Sequence, residues 1–200
     1  MLDRKIPFYN VIMKCSSYIK NEILLNNDFE IRFFQKGDED AWAELEYEIG
    51  DFDSYDEAKS YFINTYLEQN IYTSDRMFFA VEKESNKIVG SVIAGNDMRG
   101  NEKVASLQWL IVSPAYQEKG IGKALFQKAM NMFTEKGEMP VYIHTQPWSH
   151  KAIMLYDKYG FKMQKEDTFS HYLNQYNEAM MTLKRVLSMN DYELISNNSE

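Results

Sequence analysis

Val112-Ser113-Pro114-Ala115-Tyr116-Gln117-Glu118-Lys119-Gly120-Ile121-Gly122-Lys123-Ala124-Leu125-Phe126-Gln127-Lys128-Ala129-Met130 is the stretch around which this 200-residue chain is organised. The residues before it, 107–112, form a short apolar run of strand character that Pro114 stops. After it, Ile121, Leu125, Ala129, Met132 and Phe133 recur at helical spacing until Gly137 ends the pattern. Gly120 and Gly122 sit between strand and helix. Glycine there lets backbone N–H groups turn toward a ligand at the positive end of a helix dipole, as proteins do to cradle phosphate. The spacing therefore predicts an anion-binding element.

Two common glycine loops fail on spacing. A mononucleotide P-loop needs a glycine where Gln117 stands and Ser or Thr where Ala124 stands. A dinucleotide fingerprint needs a third glycine where Leu125 stands. The remaining pattern, Gln-x-x-Gly-x-Gly, resembles the acyl-CoA pyrophosphate loop of the GCN5-related N-acetyltransferases.

Composition bounds the rest. Two hundred residues suit one domain with a sizeable core, and 44% hydrophobic content argues for a packed chain rather than disorder. One cysteine, Cys15, excludes an intrachain disulfide and fits a reducing cytoplasm. No apolar run nears the ~20 residues that span a bilayer, and no secretory leader is apparent, so neither a membrane nor an export route is expected. The net charge of −8 speaks against a nucleic-acid partner. Ten acids and no Lys or Arg lie between Asp38 and Glu57, and taking those ten charges out of −8 leaves the rest at +2. The segment reads either as a solvated helical face or as a field that attracts a cationic amine.

In chain order, residues 6–25 place Phe8, Val11/Ile12, Cys15, Ile19 and Ile23 at helical spacing, which predicts a helical extension over 1–28 that packs on the domain or mediates a homodimer. A strand at 29–34, a helix carrying Trp42, Leu45 and Ile49, and a second helix opened by the capping box of Ser54 and Glu57 follow. Strands are expected at 76–82 and 87–94, a polar loop at 96–102, strands at 104–112 and 141–144, and a short helix capped by Ser149. Two last strands, 161–164 and 179–184, flank a Tyr-rich loop, and 188–200 reads as a frayed polar tail. This order predicts an α/β fold, a mixed, mostly antiparallel central sheet with helices on both faces.

The order is similar to the acyl-CoA N-acyltransferase fold over residues 29–187, and a second motif strengthens the resemblance. Ser149-x-x-Ala152-x-x-Leu155-Tyr156-x-x-x-Gly160-Phe161 looks like the same family's Asn-x-x-Ala-x-x-Leu-Tyr-x-x-x-Gly-Phe helix, with Ser149 in place of asparagine. The resemblance implies acetyl-CoA as acyl donor, a primary amine as acceptor and no metal. It implies that the backbone of Leu110, Ile111 and Val112 pairs with the pantetheine arm. It also implies that Gln117, Glu118, Lys119, Gly120, Ile121, Gly122 and Lys123 hold the pyrophosphate, that Ser149 and Ala152 complete the cofactor contacts, and that Tyr156 sits near the thioester sulfur.

Direct acyl transfer needs a positioned neutral amine, a donor for the oxyanion and a proton for the leaving thiolate. Tyr156 is the candidate general acid, and an N–H near Val112 the candidate oxyanion donor. Many relatives carry a glutamate on the strand before the glycine loop; residues 106–112 hold no carboxylate. His144, Glu102 and His171 are the remaining candidates for a base, which stays unassigned. Trp109, Trp148, Tyr172 and Tyr176 are candidate acceptor contacts or packing residues. The chain therefore reads as an N-acetyltransferase for a cationic small amine. The alternatives are a non-catalytic acyl-CoA-binding sensor and a scaffold with a vestigial loop.

Overall fold

The computed structural model describes residues 5–73 and 75–200. The elements run β1 (Val11–Cys15), β2 (Phe29–Phe33), α1 (Asp38–Ile49), α2 (Tyr55–Phe62), β3 (Met77–Glu82), β4 (Lys87–Arg99), β5 (Glu102–Val112), α3 (Ile121–Glu135), β6 (Val141–Thr145), α4 (His150–Lys158), β7 (Lys162–Met163), α5 (Tyr176–Val186) and α6 (Met189–Asn198). The strands form one mixed seven-stranded sheet in the order β2-β3-β4-β5-β6-β1-β7, as the sequence predicts in kind. Two compact units divide the chain. One holds Lys20–Gly95 and Leu107–Met132; the other holds residues 5–19, Asn96–Ser106 and Phe133–Glu200.

In the first unit β2 pairs antiparallel with β3, and β3 with β4. Met77 through Val81 are all buried, the unbroken apolar run of a strand covered on both faces rather than an alternating one. The core gathers Trp42, Ala43, Ala58, Phe62, Tyr66, Met77, Phe79 and Ile93. Helix α1 begins where the Asp38 carboxylate accepts two bonds from Arg32, at 2.6 and 2.9 Å, and a third from the Gln35 N–H at 2.7 Å. Helix α2 is capped as its sequence predicts: Ser54 Oγ accepts the Glu57 N–H at 3.2 Å. The glutamate reaches back one residue farther than expected, to the Asp53 N–H.

In the second unit β1 lies between β6 and β7, antiparallel to both, and β5 runs parallel to β6 at Ala105↔Val141 and Ser106↔Tyr142. The helix predicted over 6–25 does not form. Val11, Ile12 and Met13 are all buried, and such a short apolar run satisfies either period; paired on both sides, β-branched residues win as strand. Residues 11–15 therefore present no helical face to a partner. The strand predicted at 179–184 is instead part of α5, where Ala179, Met180 and Leu183 are buried and Met181 is exposed, a helical stripe. The loop predicted at 96–102 is mostly ladder, β4 and β5 meeting at a turn where Gly100 takes φ +59°.

The tail is not frayed. Ser188 caps α6 by accepting the Asp191 N–H, and Glu200 extends the edge beside β7 through its N–H to Met163 and its carbonyl from Lys165.

Candidate functional site

In the first unit the site begins with an irregularity in β5. Trp109 takes φ +50°, a left-handed conformation in mid-strand that a bulky residue adopts only when its surroundings impose it. Its indole N–H donates to Tyr66 Oη at 2.7 Å, and its rings lie 5.3 Å from Trp42 and 5.9 Å from Phe52. Beyond it, Ile111 is buried while Leu110 and Val112 are half-buried. β4 approaches this stretch so closely that a Cβ on Gly90 would stand 2.7 Å from the Ile111 carbonyl oxygen.

The chain then leaves the sheet in steps that hydrogen bonds fix. The Ser113 N–H donates to Val89, the Tyr116 N–H to Ser113, and the Gln117 side-chain amide to the Val112 carbonyl at 3.2 Å. Glu118 takes φ +64° and Gly120 φ +81°, so the loop turns through two left-handed residues before α3 starts at Ile121. The Gly120 carbonyl accepts the Ala124 N–H at 3.0 Å, closing the first helical turn. Helix geometry leaves the first N–H groups without partners inside the helix, directed at whatever lies before it. Nothing stands within 4 Å of where a Gly120 Cβ would lie, so the space over this turn is open.

Lys123 is exposed at this helix start. Lys119 rests its ammonium 4.7 Å above the Tyr116 ring, whose hydroxyl donates to Glu82 at 3.0 Å. Lys119 also borders a polar cleft of about 630 Å³ lined by Asn26, Asp28, Phe29, Glu82 and Glu84 among others.

In the second unit Ser149, Ala152 and Tyr156 follow one another into and along α4. Ser149 makes no cap, contrary to expectation. A 3-10 turn at Pro147–Ser149 gives it φ −90° and ψ 29°, not the extended backbone a cap requires, and its Oγ instead lies 3.4 Å from the Gln146 amide. Tyr156 is buried, its ring 5.9 Å from that of Phe161, and burial lifts its phenol well above the ordinary tyrosine range. Gly160 at φ +89° ends the helix as predicted, while the Phe161 N–H returns to the Tyr156 carbonyl.

His144 sits on β6 with Nε2 2.8 Å from Asn10 Oδ1 and its ring stacked at 3.7 Å on Tyr172. Burial, with His171 second, lowers its titration to about 4. It is a satisfied histidine and a weak base. His171 lies on the exposed loop beside Ser170, and Glu102 is exposed at the start of β5. Trp148 packs on Phe8, and Tyr176 opens α5. The loop carrying Tyr172 is pinned by Asp167, which accepts from Arg99 and Tyr142 at 2.9 Å and pairs with Lys14 at 3.6 Å.

Sequence reasoning missed Glu46. It lies one turn after Trp42 on the apolar stripe of α1 and is 1% exposed, whereas the sequence reads the acidic segment as a solvated face or a field for a cationic amine and singles out no buried acid. Its spacing from Trp42 is the signal that marks it.

Known proteins bear on this geometry. Residues 28–161 match the profile described as the Acetyltransferase (GNAT) family. A GCN5-related N-acetyltransferase from Sphaerobacter thermophilus is similar at 20% identity and TM-score 0.59, covering 78% of this chain, which spans 49% of that one. A GNAT-family acetyltransferase from Staphylococcus aureus Mu50 is similar at 19% identity and TM-score 0.53, over 65% of this chain and 82% of that one. Glucosamine-6-phosphate N-acetyltransferase from Arabidopsis thaliana is similar at 18% identity and TM-score 0.53, over 73% and 99% respectively. At these identities the likeness is one of fold.

Proposed function

The chain belongs to the acetyltransferase (GNAT) family, and from that premise we propose that it transfers an acetyl group from acetyl-CoA to the primary amine of a cationic small molecule. The observation that carries this reading is the β5–loop–α3 turn, where Glu118 and Gly120 in left-handed conformations bring the backbone round to a helix N-terminus. Such a turn suits a pyrophosphate. In this reading Leu110, Ile111 and Val112 offer backbone to the pantetheine arm. Gln117 through Lys123 offer N–H groups to the phosphates, and Ser149, Ala152 and Tyr156 contribute from α4.

The acceptor nitrogen attacks the thioester carbon, an N–H near Val112 stabilises the oxyanion, and the C–S pair leaves on sulfur. Tyr156 serves that sulfur as proton donor. Burial keeps its phenol protonated across the neutral range. The proton shed by the nitrogen balances the one the thiolate takes. Residues 106–112 carry no carboxylate and His144 is a weak base, which leaves Glu102, His171 or solvent to take the proton of the amine, and the base stays unassigned. We place the reaction in a reducing, cytoplasmic compartment, which suits the buried free thiol of Cys15.

The lack of a carboxylate in residues 106–112 favours a second reading, a non-catalytic acyl-CoA-binding module. Thiol release from acetyl-CoA across a panel of amines separates the two. A transferase turns over at least one amine, and Tyr156→Phe lowers kcat by about 10- to 100-fold while acetyl-CoA still raises the melting temperature. Cofactor stabilisation with no turnover on any amine establishes the module instead.

A further inference from the structure

Two carboxyl groups meet at the C-terminal end of α1, those of Glu46 and Asp51. Glu46 is 1% exposed, and neither of its carboxyl oxygens receives a hydrogen bond from an N–H group; one turn earlier the buried indole N–H of Trp42 also finds no acceptor. Gly50, at φ +92°, turns the chain back so that the Asp51 N–H donates to the Glu46 carbonyl at 3.1 Å. The Asp51 carboxyl, on an exposed residue, then faces that of Glu46.

Two acids thus share the end of a helix whose dipole is negative there and whose last turn holds no basic residue. Arg32 pairs with Asp38 and Lys59 with Asp40, each at 2.6 Å. A buried carboxylate is ordinarily paired. Here burial first, and Asp51 second, hold the Glu46 carboxyl well above the usual range, so that without a counter-ion it stays protonated.

The aromatic side chains around it lead toward the donor strand. Phe52 follows Asp51 directly; its ring lies 6.0 Å from Trp42 and 5.9 Å from Trp109, and Trp109 precedes Leu110–Val112 on β5. The faces of Phe52 and of Tyr61, 5.4 Å apart, are partly open to solvent and suit an alkyl chain or an ammonium.

Resting on the transferase reading above, we propose that Glu46 and Asp51 anchor a second cationic group of the acceptor, so that the substrate class is a diamine or longer amine acetylated at its far end. The ammonium gives the Glu46 carboxyl a partner, and Glu46 ionises as it arrives. No chain residue needs to move a charge into the site.

The test compares acetyl-CoA-dependent thiol release for a linear diamine and for the amino alcohol of equal length. Wild type is expected to favour the diamine in kcat/KM by at least about tenfold. Glu46→Gln brings the ratio within about threefold, chiefly by raising KM for the diamine. Glu48→Gln, an exposed charge removed from the same helix, leaves the ratio as it was. An equal preference in wild type, or a preference that survives Glu46→Gln, overturns the anchor. Should Glu46→Gln not fold, Asp51→Asn is read against the same ratio. If no amine is acetylated, the transferase reading fails separately, and calorimetry with the diamine decides the anchor. Binding to wild type that Glu46→Gln abolishes upholds it; absence of binding to wild type overturns it.

Discussion

The indole N–H of Trp109 donates to the phenolic oxygen of Tyr66 at 2.7 Å, joining a left-handed residue in β5 to the segment that follows α2. Tyr66 is buried, and burial lifts its phenol beyond the ordinary range. The acceptor therefore stays a neutral phenol through the alkaline pH values at which an exposed tyrosine ionises. The bond secures a side chain that links β5 to the rings around α1.

Tyr66→Phe removes the acceptor and leaves that indole N–H unpartnered in an apolar cluster. The expected loss is about 1–3 kcal/mol in denaturant unfolding, the cost of an orphaned buried donor. In the transferase reading, KM for the amine rises and KM for acetyl-CoA stays put. A variant as stable as wild type would show that packing alone holds Trp109 in place.

Gly90→Ala tests the close passage of β4 and β5. Its Cβ would meet the Ile111 carbonyl oxygen at 2.7 Å, with Leu125 Cδ1 at 3.1 Å behind it. Neither neighbour is a loose chain end, so backbone shifts. Destabilisation of about 1–3 kcal/mol is expected, together with weaker stabilisation by acetyl-CoA, because Ile111 lies in the stretch assigned to the pantetheine arm. Chemical denaturation with and without cofactor measures both.

Gly120→Ala isolates conformation from contact. The added methyl meets nothing within 4 Å, yet the backbone holds φ +81°. A loss of about 1–2 kcal/mol is expected from the left-handed penalty alone. In the transferase reading the loop aims its N–H groups at phosphate, so affinity for acetyl-CoA is expected to fall further than stability does. Coenzyme A and dephosphorylated pantetheine separate the two: the variant should lose affinity for the first and keep its weak affinity for the second.

The loop, the helix after it and the Ser149–Phe161 motif were legible because each is local. Glycine spacing and a 3.6-residue period write themselves into consecutive residues. β1 and α5 were not, because both depend on distant partners. Val11–Cys15 carries an apolar run that suits either period, and only pairing with β6 and β7 decides it. Residues 179–184 read as strand while that pairing is unknown. Glu46 was hidden for a similar reason. Nine other acids surround it in sequence, and tertiary packing, that of Trp42 against Phe62 and Tyr66 included, draws its side of the helix inside.

His144 supplies a pH signature of the second unit. Its titration lies at about 4, against an ordinary value of 6.5, because burial between Asn10 and Tyr172 penalises the imidazolium and His171 adds to that. The folded chain therefore binds this proton less readily than the unfolded chain does. The stabilising contribution is complete above pH 6.5 and is lost as pH falls from there toward 4. At about 1.4 kcal/mol per pH unit the full effect is about 3.5 kcal/mol, an upper bound for a ring that keeps some solvent contact. Unfolding free energies measured from pH 7.5 to 4.5 should decline more steeply in wild type than in His144→Gln, whose amide does not titrate. The Tyr142–Asp167 contact adds in the same direction, since the aspartate is held below its ordinary range by Arg99 and Tyr142, but its loss sets in at lower pH. Parallel curves for wild type and His144→Gln between pH 6.5 and 4.5 would show that the imidazole is hydrated in both states. They would also reopen His144 as a base near neutrality.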